Sequence, residues 1–234
     1  MRFIQLTPRL RAVANMVPAG ARLADVGTDH AYLPACLLQE GVLQRAVVSD
    51  LRRGPLDRAR ATAERYSLTE RMDFRLCDGL SGIDPDEVDA IVIAGMGGET
   101  IAAILEAAPW TVKGEYLLLL QPMTMQHILR PWLQGHGFRI TDERLACEGD
   151  SIYTIIQARP GTMKPLTPVQ CWAGRQSQDP LRGEYLGRLL EHTGRALEGL
   201  SRSVQPGALT RRQELETVRA GLEQQLEEWK QWQP

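Results

Sequence analysis

Several short stretches of the 234-residue chain gather acids and glycines where a backbone turn could meet a ligand. The first, Ala24-Asp-Val-Gly-Thr-Asp-His-Ala-Tyr-Leu-Pro34, sets Gly27 between Asp25 and Asp29. A glycine there lets main chain approach a bound group closely, and a turn that opens into a helix presents amide donors. The dinucleotide fingerprint GxGxxG needs three glycines, whereas Gly27 is followed by Thr28, Asp29, His30 and Ala31. A pyrophosphate would be repelled by Asp29, so the loop suits a ligand with a cationic end and no phosphate. Asp50 and Asp78-Gly79 close two further apolar runs. A carboxylate in the first of these places can bind both hydroxyls of a ribose, and one in the second can read a base amino group. Each could also be an ordinary turn-forming Asp, but three acidic ends in consecutive units favour a ligand. Ala94-Gly-Met-Gly-Gly98 lets backbone pass beneath a bound group; tight packing would account for one of its glycines and poorly for three. Gln121 before Pro122 carries an amide that could pair with a base edge or cap the neighbouring loop.

The elements that must position these residues can be read from alternating apolar and amphipathic stretches between Pro18 and Pro160. Strands are expected at Arg22–Val26, Arg45–Asp50, Met72–Cys77, Asp89–Ala94 and Glu115–Gln121, the last two almost continuously apolar and therefore central. Helices are expected at Leu33–Glu40, Gly54–Tyr66, Glu99–Glu106 and Thr124–His136, giving a βα unit repeated five times. Phe138–Cys147 and Ile152–Ala158 read as a hairpin across Glu148-Gly-Asp-Ser151. The sum is a Rossmann-like α/β fold, a mostly parallel seven-stranded sheet with one antiparallel strand, as in class I methyltransferases. Residues 160–178 read as a linker containing Pro160, Pro165 and Pro168. Beyond it, Leu186, Leu189, Thr193, Ala196 and Leu200, then Leu215, Val218, Leu222, Leu226 and Trp229, mark the seams of a coiled-coil-like helical hairpin with its turn at Gln205-Pro206-Gly207. Residues 1–160 are thus expected to form the ligand-binding domain and 161–234 the linker and hairpin.

The first domain resembles the bacterial tRNA (adenine(22)-N1)-methyltransferases. The resemblance rests on Leu6-Thr-Pro-Arg-Leu10, Asp25 to Pro34, Asp50 with Gly54-Pro-Leu56, Arg75-Leu-Cys-Asp-Gly-Leu80, Ala94-Gly-Met-Gly-Gly98 and Gln121-Pro122. It implies an enzyme that transfers a methyl group from S-adenosylmethionine to N1 of an adenine in tRNA. Asp25, Gly27 and His30, with Asp50, Leu51, Asp78 and Gly79 and then Ala94, Gly95 and Met96, would surround the cofactor. Asp29 would stabilise the cationic methylated base, with the Gly95 backbone and the Gln121 amide as positioning partners. Tyr32 would stack on the extruded base, and Gly97 and Gly98 would border it. His30 could instead shuttle a proton or bond locally at the helix start. Met123, where Asn is expected in the family, and Ser151 and Thr154, where Lys and Glu are expected, depart from its pattern.

A net charge of 27 − 29 = −2 means that a polyanion must be held by a local patch of cations. Twenty-four of the 27 cations are arginines, which suit phosphate. Arg9 and Arg11, with no acid adjacent in sequence, are the expected phosphate contacts, backed by Arg52, Arg53, Arg58, Arg60 and Arg65. Arg53–Asp57 and Arg60–Glu64 at i, i+4 could be no more than solvated pairs. Cys36, Cys77, Cys147 and Cys171 form no CxxC pair, which argues against a metal site and for a reducing, cytoplasmic setting. No apolar run is longer than Tyr116–Leu120, which is far short of a membrane span. The hairpin could bind RNA or a second copy; a monomer is the working expectation. A small-molecule methyltransferase and a non-catalytic relative of the same fold stay open on these residues alone.

Overall fold

The computed structural model describes residues 3–175, 178–202 and 205–232. They fall into two compact units divided between Met163 and Lys164.

The first unit opens with α1 (Pro8–Ala14), absent from the sequence expectation. Thr7 caps it by accepting the Leu10 amide, and Pro8 occupies the first turn, where no amide is missed. Then follow β1 (Leu23–Val26), α2 (Tyr32–Gln39), β2 (Ala46–Asp50), α3 (Arg53–Arg65), β3 (Met72–Leu76), β4 (Ala90–Gly97), α4 (Gly98–Glu106), β5 (Leu117–Thr124), α5 (Gln126–Gly135), β6 (Phe138–Glu148) and β7 (Ser151–Pro160). The seven strands lie in the order β3-β2-β1-β4-β5-β7-β6, and β7 alone runs against its neighbours. The expected sheet is therefore present. The fivefold βα repeat is not: β3 and β4 are joined without an α-helix, by a single 3-10 turn at Pro85–Glu87 capped through Asp84.

Alternation along the strands distributes two cores. Leu23, Val48, Val92 and Leu119 point toward α1, α2 and α3, while Ala24, Val47, Ile91, Ile93, Leu118 and Leu120 point toward α4 and α5. Every residue of β1 and β2 is buried, as strands covered on both faces must be. Between α5 and β6 an ion pair, Arg130 Nε to Glu143 Oε1 at 2.7 Å, is sealed from solvent.

The second unit contains α6 (Pro168–Ala173), α7 (Arg182–Ser201) and α8 (Ala208–Trp232). Helix α6 lies inside the stretch read as linker. Thr167 and Gln170 form a capping box around Pro168, so this proline starts a helix. Leu186, Val218 and Leu222 form the buried seam with Ala173, and Gly221 brings α8 so close to α6 that a Cβ would lie 2.8 Å from Val169.

Candidate active site

Because β3, β2, β1 and β4 are parallel neighbours, their C-terminal ends share one edge. The chain goes from β1 outward to β2 and β3, then returns to β4 on the other side of β1. That reversal opens a crevice at the strand ends, where α/β sheets of this kind bind ligands. A cleft of about 440 Å³ lies there, bordered by Gly27, Asp29, Asp50, Leu51, Asp78, Gly79, Ala94, Gly95 and Met96 among others. All of these carry a functional expectation from the sequence.

The turn after β1 is built from inside. Gly27 and Thr28 both donate their amides to the Ser49 carbonyl at the end of β2, at 2.8 and 3.1 Å. Gly27 adopts φ +72°, and a Cβ there would lie 2.0 Å from the Met96 methyl. Asp25, 6% exposed, accepts the Thr28 hydroxyl at 2.5 Å. Burial, reinforced by the Asp50 charge, pushes its carboxyl up to about 6 despite the Thr28 bond. Asp50 is also buried and accepts the Arg52 amide at 2.9 Å, which closes the turn into α3. Asp78 is exposed, and Gly79 turns at φ +54° against Ile104.

On the other side of the crevice Gly95 is a bulge. Ala94 pairs with Gln121 and Met96 with Pro122, so Gly95 has no counterpart in the ladder. Its amide, at φ +79°, donates instead to Gln121 Oε1 at 3.0 Å. Gln121 is fully buried and its Nε2 donates to the Pro122 carbonyl at 3.1 Å and toward Met123 Sδ at 3.6 Å. Of the two roles open to this amide, the fold uses it to brace the Gly95 turn. The glycines of this motif also divide. Gly97 caps α4 from an extended conformation. Gly98 is buried against the Met125 carbonyl, which a Cβ would approach to 2.4 Å; tight packing therefore accounts for Gly98, in place of the expected border with the substrate.

Asp29, at φ +46°, projects into solvent and is bound by Arg58 through Nε at 3.1 Å and through Nη2. His30 Nε2 is 3.8 Å from Asp29, and its ring stacks on Tyr32 at 5.2 Å. His30 thus makes local contacts at the start of α2, and Tyr32 remains 40% exposed. Arg58 is among the cations expected to bind phosphate, and nothing in its sequence neighbourhood points to Asp29, 29 residues away.

Arg9 and Arg11, expected as phosphate contacts because no acid adjoins them in sequence, both meet acids from distant positions in the fold. Arg11 pairs with Glu40 at 2.8 Å. The Arg9 amide bonds Glu148 at 3.2 Å, and its guanidinium donates to Gln121 Oε1 at 2.6 Å while lying 5.4 Å over the Tyr153 ring. Arg60 pairs with Asp57 rather than Glu64. Arg52 borders the cleft with its Nε 4.0 Å from Asp50, and both it and Arg53 are exposed. Among the described residues, no cluster of His, Cys, Asp or Glu could hold a metal, and no helix is long and apolar enough to cross a membrane.

A seven-stranded sheet with a lone antiparallel strand and acids at three adjacent strand ends defines a class I methyltransferase domain. Residues 6–156 match the family model described as "Methyltransferase domain". The tRNA (adenine(22)-N(1))-methyltransferase of Bacillus subtilis is 37% identical over 161 residues, 69% of this chain and 68% of that protein. The crystal structure of the B. subtilis m1A22 tRNA methyltransferase superposes with a TM-score of 0.85 at 29% identity, covering 95% of this chain and 99% of that one. A Streptococcus pneumoniae protein solved in complex with S-adenosyl-L-methionine is 34% identical over 95% of this chain and 100% of its own, with a TM-score of 0.83. The chain belongs to the tRNA (adenine(22)-N1)-methyltransferase family.

The residues present fit S-adenosylmethionine. Gly27 and Gly79 border the cleft at positive φ, and a Cβ on either would press against Met96 or Ile104, so both leave main chain bare at the cleft wall. Asp50 and Asp78 present carboxylate acceptors to the cleft, and Asp25 is buried beneath its edge.

Proposed function

We propose that this protein transfers the methyl group of S-adenosylmethionine to N1 of an adenine in tRNA, adenine 22 by its family, in the cytoplasm. The observation that carries the reading is the cleft at the β1/β4 crevice, lined by Asp29, Asp50 and Asp78 on one side and by the Gly95 bulge on the other. When bound, the cofactor supplies an electrophilic methyl carbon on a sulfonium. Asp50 holds the ribose, Asp78 reads the adenine amino group, and Asp25 sets the turn that faces the cationic amino-acid end. Leu51 offers an exposed apolar face to the cofactor adenine.

The acceptor needs little activation, because N1 of adenine carries a free lone pair at neutral pH and reacts once it is aligned. The chain's task is to place that nitrogen and to accommodate the positive charge that appears on the base. The Ala94–Gly95 backbone and the exposed Tyr32 ring form the placing surfaces, with Gly97 beside them. Asp29 offers the charge, but Arg58 holds it in the free protein. A tRNA phosphate drawing Arg58 away would expose the Asp29 carboxylate as the base arrives. Arg52 at the cleft edge and its exposed neighbour Arg53 are the proposed first phosphate contacts. Arg9 and Arg11 could join them only by giving up Gln121, Glu148 and Glu40.

Transfer of labelled methyl from the cofactor into unmodified tRNA, followed by mapping of the modified nucleotide, tests the proposal. Label appearing as N1-methyladenine at one position is the expected result. Label in small metabolites but not in tRNA would overturn it.

A further inference from the structure

The Gln121 side chain meets two donors on one oxygen. Its Oε1 receives the Gly95 amide at 3.0 Å and Arg9 Nη1 at 2.6 Å, while its Nε2 faces the Pro122 carbonyl. An amide nitrogen could not accept from either donor, so the orientation of the group is set by its surroundings. Arg9 is itself held in place. Its backbone amide is bound by Glu148 at the tip of the β6–β7 hairpin, its Nε lies 3.8 Å from the same carboxylate, and its guanidinium covers Tyr153. The side chain is 17% exposed. A charge-assisted bond to a buried neutral amide is among the stronger contacts available, and here it lies directly behind the bulge at Gly95.

We infer that Arg9 is a positioning residue for methyl transfer, acting through Gln121 to fix the Gly95 bulge and so the height of the Ala94–Gly95–Met96 backbone in the cleft. This rests on the methyltransferase reading above and assigns Arg9 a role in catalysis in place of the phosphate contact its sequence position suggests. The bulge has no ladder partner for its glycine amide, and Gly95 at φ +79° has no Cβ to restrict it. Gln121 supplies the missing partner, and Arg9 keeps that partner from rotating. Without Arg9 the Gln121 oxygen retains only the neutral bond from Gly95, with Nε2 still held at the Pro122 carbonyl, and the turn gains freedom where in-line geometry is demanding. A misplacement of about 1 Å can cost about 10²-fold in rate.

The test uses the full chain with Arg9→Met, Gln121→Met, the double variant, and Arg9→Lys as the conservative exchange. Turnover is measured per cofactor-binding site on unmodified tRNA. Arg9→Met is expected to lower kcat by about 10- to 100-fold while KM for tRNA and its salt dependence stay near wild type. Gln121→Met should lose a similar amount, the double variant should lose little more than either single, and Arg9→Lys should recover part of the rate. A kcat within about twofold of wild type, or losses that multiply in the double variant, overturns the inference. A raised KM with a flatter salt slope at unchanged kcat would return Arg9 to phosphate binding. The amide resonance of Gly95 in glycine-labelled protein reads the same linkage with no substrate present. It should move in Arg9→Met, and an unmoved resonance overturns the inference. If wild-type protein fails to methylate tRNA, the functional reading falls, and the Gly95 resonance still decides the role of Arg9.

Discussion

Asp25 offers the sharpest quantitative check, because its environment opposes its charge. The side chain is buried, faces Asp50, and has the Thr28 hydroxyl as its bonded partner. Its carboxyl moves from 3.8 to about 6, roughly two units at about 1.4 kcal/mol each, so ionising it in the folded protein costs about 3 kcal/mol. A group whose folded value is raised contributes its full stability below the unfolded value. That contribution is lost as the pH climbs through the folded value. The loss therefore runs from about pH 4 to about pH 6, and above this window the wild-type protein carries the whole penalty. Asp25→Asn removes the charge and keeps an oxygen for the Thr28 hydroxyl. The variant should match wild type near pH 4, gain part of the difference by pH 5, and exceed it by about 1–3 kcal/mol at pH 8. Urea unfolding of both proteins across this range, followed by tryptophan fluorescence, measures the difference directly. A variant less stable than wild type at pH 8, or a difference that does not change with pH, would refute the reasoning. If Asp25 has the cofactor-side role proposed for it, the same variant should also bind S-adenosylmethionine more weakly at pH 8, and calorimetry checks this.

Asp50→Ala removes a buried acceptor and the cap on the Arg52 amide; cofactor affinity by calorimetry should fall by about 1.5–3 kcal/mol, and an unchanged affinity removes Asp50 from the ribose site. Asp29→Ala should reduce turnover by about 10²-fold with little change in cofactor affinity; a parallel loss of both would place Asp29 in the cofactor shell. Replacing Arg52 and Arg53 together with Ala should weaken tRNA binding and lower the slope of log K against log salt by roughly one unit for each phosphate no longer neutralised, measured by filter binding at several salt concentrations. Gly27→Val drives a Cβ into the Met96 methyl at a backbone angle that valine avoids, so cofactor binding should disappear in calorimetry while the far-ultraviolet dichroism remains that of a folded protein.

The strands are legible in the sequence because nearly continuous apolar runs such as Ile91–Ile93 and Leu117–Leu120 have few other ways to be buried. Their C-terminal acids are legible because parallel neighbours bring such ends to one edge. Two helices escape such a reading for one shared reason. Pro8 and Pro168 look like breaks, yet each follows a capping threonine and opens a helix. The pattern Thr-Pro is the available signal in both cases. The count of five βα units exceeds the four helices named for them, and the segment between β3 and β4, with Gly79, Gly82 and Pro85, supplies no α-helix for the remaining unit. Strands β4 and β5 run further than expected because the bulge at Gly95 lets pairing resume at Met96, which periodicity alone does not reveal. Arginine partners are the least legible part. Charge pairing read from neighbours in sequence says nothing about Glu148 for Arg9 or Asp29 for Arg58, since the fold alone makes those pairs adjacent.

The links made by α1 also bear on the order in which this enzyme assembles. The residue that braces the Gly95 bulge belongs to the ninth position of the chain, and its partners lie 112 and 139 residues later. Closing so long a loop is entropically slow and gains nothing until the hairpin of β6 and β7 exists. On the ribosome, Asp25, Asp50 and Asp78 emerge early and can meet as soon as the first strands pair. The acceptor side must wait for the last strands before α1 can dock. The contacts among β1, β2 and β3 can thus form before synthesis reaches the hairpin, whereas the contacts of Arg9 with Gln121 and Glu148 require β5 and β6 to be present first.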